Sequence, residues 1–383
     1  MKRIQSIDFA RGLVMVIMAL DHVRDLMHTD AFTQDPTDLN TTTPILFFTR
    51  WITHLCAPTF VFLSGVSVFM SLESSKNLVE VRSFLLKRGL WLLFLEVTVV
   101  NFGIWFDVHF QTIMFQVIGA IGFGFIVIGF LLKFSTSGIG RVGFFLLLLY
   151  PLLALVPFSD GIRNSLGILF FPALIPVGAK FTFFMSYPPI PWLAIMMLGF
   201  GFGPMFLDKS SKSLFLKYGL ISLGLFSVVR LVNIYGDPAL WSVQKNTMYT
   251  LLSFLNVSKY PPSPLYVFVT LGVIFLKMWW AEGRNNKLIE IMKVYGKVPL
   301  FYYLIHWYVV HLTMFAIVFV KGYKVSDLVF GPFKFGRPES GGGVSLSYVY
   351  LIWLVIVILM YPLCKWYGTY KEANKSKTWL RYL

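Results

Sequence analysis

The chain has 383 residues, of which 57% are hydrophobic and only 13% charged. A water-soluble domain carries about 25% charged residues, so this composition excludes a soluble globular fold and points to a protein that crosses a membrane several times. The net charge of +15 would suggest a nucleic-acid partner in a soluble chain; here it is read through its distribution among loops, and no nucleic acid is expected.

The first predicted element is a helix over about 9–27. Met1-Lys2-Arg3 before an apolar run mimics a secretion signal, but Leu20-Asp21-His22-Val23-Arg24 offers no small-residue cleavage site, so a retained first span is expected. Crossing a hydrocarbon core takes about 20 residues. Gly12–Leu20 is wholly apolar, and Phe9–Leu20 with Arg11 inside it is still too short. Asp8, Arg11, Asp21 or His22 must therefore sit at or near membrane depth, where ionisable groups are costly and usually functional. Arg11 and His22, eleven residues apart, return to nearly one helix face about 16 Å apart along the axis. Asp8 and Asp25, three residues outside them, extend the same stripe.

Further apolar stretches fall at about 51–72, 89–106, 112–132, 142–158, 189–207, 214–232, 263–281, 298–320 and 345–364, with a weaker, proline-broken one at 164–178 that reads as re-entrant or interfacial. The expected fold is all-α and polytopic, a single domain over 1–383 with about ten transmembrane helices. With the N-terminus inside, the inner segments hold 21 Lys and Arg against 11 in the outer ones, which places both termini in the cytoplasm. Cys56 and Cys364 fall in different spans, so no disulfide is expected.

His22 is the strongest candidate for chemistry. Asp21 beside it and Asp25 one turn on would fix its tautomer and raise its basicity, the preparation of a general base. An interfacial histidine capping a helix end is the bland alternative. His54 opens the second span at the depth of His22, and the two either share a site or are independent. His28, in the first outer loop, and His109, in a short outer turn, read as solvated. His306 and His311, five apart and so about 140° apart on a helix, do not suit a shared metal, and no metal site is expected. His306, at membrane depth, is either a satisfied core histidine or a substrate contact. Arg82, Lys87 and Arg88 at the start of the third span either grip phosphates or serve positive-inside anchoring. Gly119, Gly122, Gly124, Gly199, Gly201 and Gly203 read as close helix packing. Gln116 and Lys259-Tyr260-Pro261 are unusual and chemically ambiguous.

Arg11 with His22 ten residues beyond it resembles the first-span pattern of the transmembrane acyltransferase superfamily. Arg3-Ile4-Gln5-Ser6-Ile7-Asp8-Phe9-Ala10-Arg11-Gly12 most resembles the catalytic domain of heparan-α-glucosaminide N-acetyltransferase and its bacterial relatives. Further matches are Ala57–Gly65, Phe115–Gly119, Lys259–Ser263, Pro299–His306 and Trp379–Leu383, so the resemblance covers most of the chain. It implies transfer of an acyl group, typically acetyl, from cytoplasmic acetyl-CoA or another acyl-CoA to an amine or hydroxyl on the far side, on a small molecule, sugar or glycan. His22 would then be the base, or carry the acyl group itself, with Asp21 or Asp25 orienting it. Arg88, Lys87, Arg11 and Gln116 would hold the donor, and Arg24, Tyr303 and His306 the acceptor. The lysosomal enzyme has asparagine where His22 aligns and its histidine nearer His28, which leaves the catalytic histidine open among His22, His28 and His54. The resemblance carries no large extra domain ahead of the first span, so heparan is not expected from it as the substrate. A bacterial plasma membrane is the expected location. Oligomeric state is unread, a homodimer being one option. The competing class is a proton-coupled transporter, disfavoured by the lack of an inverted repeat and by the crowding of polar residues into the first two spans.

Overall fold

The computed structural model describes residues 4–31, 33–156, 166–178 and 180–382. Helix α1 (Gln5–Met27) runs unbroken through its charged positions and is buried along most of its length. It is followed by α2 (Pro44–Thr53) and α3 (Cys56–Ser75). Thr43 caps α2, its hydroxyl accepting from Leu46 N, with Pro44 at the first helical position. Helix α4 (Leu78–Leu95), capped by Asn77, continues through a π-helical turn at Glu96–Val100 into α5 (Asn101–Trp105). Then come strand β1 (Thr112–Phe115), α6 (Val117–Leu131), α7 (Thr136–Leu149), β2 (Ala173–Val177) and β3 (Phe181–Met185). The remaining helices are α8 (Pro189–Phe202), α9 (Ser211–Val232), α10 (Thr247–Leu255), α11 (Pro264–Ala281), α12 (Lys287–Gly296), α13 (Pro299–Val320) and α14 (Leu346–Ala373).

Among the described residues, seven helical segments are long and apolar enough to cross a membrane: 44–75, 136–155, 189–206, 211–232, 264–281, 299–320 and 346–373. The three other expected spans are also helical. However, α1 carries charges at both ends, 78–105 is interrupted by the π-turn, and α6 has only 15 residues. The all-α expectation is corrected in one place. Residues 112–115 and 173–177, expected within a span and in a re-entrant piece, join 181–185 in a small sheet of order β1-β3-β2, parallel then antiparallel. Their residues are apolar and largely β-branched or aromatic, which suits a partly buried strand as well as a short span segment.

Close backbone approach explains the interior glycines. A Cβ on Gly199 of α8 would stand 1.9 Å from Phe62 O of α3, and one on Gly12 of α1 would stand 1.7 Å from Met292 O of α12. Small residues at such crossings let helices pack where lipid supplies no hydrophobic drive between them. Helix α1 is thereby fixed among α3, α11, α12, α13 and α14, at the centre of the bundle.

Candidate active site

Helix α1 lines two neighbouring cavities, mainly with one face. Arg11 and Met15 line the larger, of about 290 Å³, and Met18, Asp21 and His22 the smaller, of about 30 Å³. The spacing from Arg11 through Met15 and Met18 to His22 follows the helical repeat. The two cavities share Phe60, Val117 and Tyr303 in their walls, so they adjoin along α1.

His22, in the wall of the smaller cavity, has its Nδ1 2.7 Å from His306 Nε2. The His22 ring also stacks on Trp307, with centroids 3.7 Å apart and planes at 19°. His306 Nδ1 lies 3.1 Å from the Tyr302 carbonyl, four residues back on α13. A carbonyl only accepts, so His306 Nδ1 carries hydrogen and donates. In the neutral pair His306 Nε2 is then the acceptor and His22 Nδ1–H the donor. His22 Nε2 is left with a free lone pair, as a general base or nucleophile requires. The orienting partner is a histidine 284 residues away in the chain. The expectation that Asp21 or Asp25 orients His22 is corrected. Asp21 pairs with Arg24 at 2.8 Å and Arg50 at 3.3 Å, and Asp25, with its side chain 49% exposed, pairs with Arg24. A residue adjacent to His22 on a helix points about 100° away from it, and that carries Asp21 toward the guanidiniums.

The other expected site residues divide clearly. Arg24 is a buried member of this carboxylate–guanidinium cluster and does not line either cavity. His54 is buried but faces the Tyr266 ring edge-on at 5.3 Å, outside the cavity walls. His28 caps the C-terminus of α1, and its carbonyl accepts from Arg337 Nη1 at 3.0 Å. Burial first, then the Arg24 and Arg337 charges, outweigh Asp30 and push the His28 imidazole below its ordinary pKa. His306 and Tyr303 sit with His22, and Gln116 lines the smaller cavity. Arg11 donates to Leu63 O at 3.2 Å and to Ser67 Oγ, and Arg88 lines the same cavity wall, its guanidinium over Phe84 and Phe125. Lys87 is exposed and lies outside the cavity, so its grouping with Arg88 is corrected: the next residue on a helix faces elsewhere. Arg82 donates to Gly129 O at 3.1 Å.

Several cavity features carry no signal of their own in the sequence. Ser64, Ser67 and Ser71 form a stripe on α3 along the larger cavity, each hydroxyl donating to the carbonyl four residues back at 2.7–2.9 Å. Their oxygens remain able to accept, and the three-then-four spacing is the only trace they leave. Glu96, in the π-turn, accepts from Gln116 N at 2.5 Å and Gly119 N at 3.1 Å. It thereby caps α6 from another helix and holds Gln116 at the cavity. Among the described residues no group of three or more His, Cys, Asp or Glu is placed to hold a metal ion.

Comparison with curated proteins found no match. Residues 3–242, more than half of the chain, match the family described as heparan-alpha-glucosaminide N-acetyltransferase, catalytic. With seven apolar helices long enough to cross a membrane among the described residues, the chain belongs to this family of integral-membrane acetyltransferases.

Proposed function

We propose that the protein moves an acyl group, acetyl by the description of its family, from acyl-CoA held at the Arg11–Arg88 end to an amine or hydroxyl of an acceptor at the His22 end. The excess of Lys and Arg in one set of loops argues that the Arg11 end faces the cytoplasm, and with it both termini. A bacterial plasma membrane suits this arrangement, and a sugar or glycan is the acceptor class that the family description suggests.

The observation that carries this reading is the adjoining pair of cavities, which brings a basic end and a base-ready histidine into one path along α1. At about 290 Å³ the larger cavity is near the lower limit for small-molecule sites. It suits a slender pantetheine arm better than a whole nucleotide, so the phosphates would stay at the mouth. Arg88 Nε is buried without a hydrogen-bond partner among the described residues, and Tyr303 Oη, beside Trp307 Nε1, likewise meets none in hydrogen-bond geometry. Each is a ready partner for a phosphate oxygen and for a carbonyl or amide of the donor. The Ser64–Ser67–Ser71 stripe offers acceptors to the amide N–H groups of the arm. His22 Nε2 would take the proton of the attacking acceptor, and His306 would keep its ring in the required tautomer. Passage through an acyl-His22 is the covalent variant of the same geometry.

The test is acetyl transfer from labelled acetyl-CoA to glucosamine by the purified protein in detergent, wild type against His22→Ala. The expected result is wild-type turnover that falls at least a hundredfold in the variant at an unchanged melting temperature. Wild-type turnover in His22→Ala would overturn the assignment of His22. Exchange of a solute across proteoliposomes without any acyl transfer would favour a transporter.

A further inference from the structure

We infer that Lys259 is a catalytic residue: its ammonium binds the oxyanion that forms on the thioester carbonyl during transfer, opposite the base His22. This rests on the acyltransferase reading above. Lys259 follows α10 in the segment leading to α11 and lines the small cavity together with His22, Gln116 and Tyr303. It is only 8% exposed. The other buried cations of this region are answered by carboxylates, since Arg24 and Arg50 share Asp21 and Arg24 also meets Asp25. Lys259 forms no ion pair of its own: Asp21, in the same cavity wall, is the carboxylate that feels its charge, and Arg24 and Arg50 already hold it. Its ammonium makes no hydrogen bond or ion pair to a protein acceptor among the described residues. It lies 4.9 Å from the Tyr260 ring centroid and 5.8 Å from that of Tyr187. Two aromatic faces hold a cation in place without neutralising it. Arg24, Arg50 and Lys259 thus outnumber Asp21 and Asp25 here; an excess of buried positive charge is costly, and a transient negative charge in the cavity that Lys259 faces offsets it. Tyr303 Oη, unpartnered at the junction of the cavities, is a second donor within the same walls.

In the step, the acceptor nitrogen or oxygen forms a bond to the thioester carbon and the carbonyl π pair moves onto oxygen, where Lys259 receives it. His22 Nε2 takes the proton of the acceptor. Collapse of the oxyanion re-forms the C=O bond and breaks the C–S bond, and the departing thiolate takes the proton from His22. Every charge created is matched within the cavity. Preorganised donors of this kind act on the developing charge, so their loss lowers the rate of chemistry and leaves ground-state binding intact.

The experiment compares Lys259→Met and Lys259→Arg with wild type, reading three quantities on each preparation: acetyl-CoA binding, melting temperature in detergent and single-turnover transfer to glucosamine. Lys259→Met is expected to lose transfer by about 10²–10³-fold at unchanged acetyl-CoA affinity, and Lys259→Arg to recover part of it. Lys259→Gln, which keeps a neutral donor, serves the same comparison if the methionine variant does not fold. Transfer by Lys259→Met within threefold of wild type overturns the inference, as does a loss of rate explained wholly by weaker acetyl-CoA binding. Failure of the wild type itself to bind or turn over acetyl-CoA is a different result, overturning the acyltransferase reading beneath it.

Discussion

Replacing His306 with Phe isolates the orientation of His22. Phe keeps the flat ring beside His22 but removes the Nε2 acceptor 2.7 Å from His22 Nδ1. The His22 N–H is then buried without a partner, which costs about 1–3 kcal/mol. That same energy is what holds the proton on Nδ1 and keeps Nε2 free. At 1.4 kcal/mol per tenfold, the fraction of correctly oriented His22 falls by about 5–150-fold. Because the stack on Trp307 at 3.7 Å remains, the ring stays in the cavity and only its proton and tilt are released. The expected result is a fall in kcat of that size with acetyl-CoA affinity unchanged, measured by single-turnover transfer beside equilibrium binding. A His306→Phe protein with kcat within twofold of wild type would show that His306 does not orient His22, and a change confined to acceptor KM would place His306 on the acceptor instead.

Gly199→Ala would set a methyl 1.9 Å from Phe62 O, forcing α3 and α8 apart; a loss of about 1–3 kcal/mol is expected, read as a lower melting temperature in detergent. Asp21→Asn leaves Arg24 and Arg50 without their shared carboxylate and should cost about 3 kcal/mol of stability, again read by melting. His28 has its folded-state pKa depressed by burial, so its neutral form is the one the fold accommodates. The unfolded chain therefore takes up this proton first as pH falls through 6.5, and stability drops with it. His28→Gln should lessen the fall in melting temperature as pH drops from 8 through 6.5 and below, while keeping transfer within a few-fold of wild type. An unchanged slope would show that another group carries the acid sensitivity.

The α1 stripe from Arg11 to His22 was readable because it depends only on helical period within one element, and the cavity walls follow it. Interior Gly199 and Gly201 likewise announced close packing, which their contacts with Phe62 O and Gly140 Cα bear out. What was not readable is whatever depends on distant segments meeting. His306 was identifiable as a buried histidine, but nothing in the sequence says that it faces His22 across 284 positions. Neighbouring Asp21 and Asp25 were the natural candidates for orienting His22, yet Arg24 and Arg50 claim them. The sheet was hidden because Thr112–Phe115 and Phe181–Met185 are apolar enough to read as pieces of spans, and a parallel pairing across the intervening helices leaves no local signature. Glu96 escaped notice because its partners, Gln116 N and Gly119 N, are backbone groups of another helix. Lys259 stood out as odd in sequence, but only its place in the wall beside His22 gives the oddity a chemical meaning.

One path along α1 would receive acyl-CoA at its basic end and perform chemistry at its histidine end. The decisive measurement is equilibrium binding of acetyl-CoA to the purified protein, with Arg88→Ala and His22→Ala beside wild type. Saturable binding is expected in the wild type, weakened at least tenfold in Arg88→Ala and retained in His22→Ala. No saturable binding of any acyl-CoA by the wild type, or equal binding by all three proteins, would contradict it.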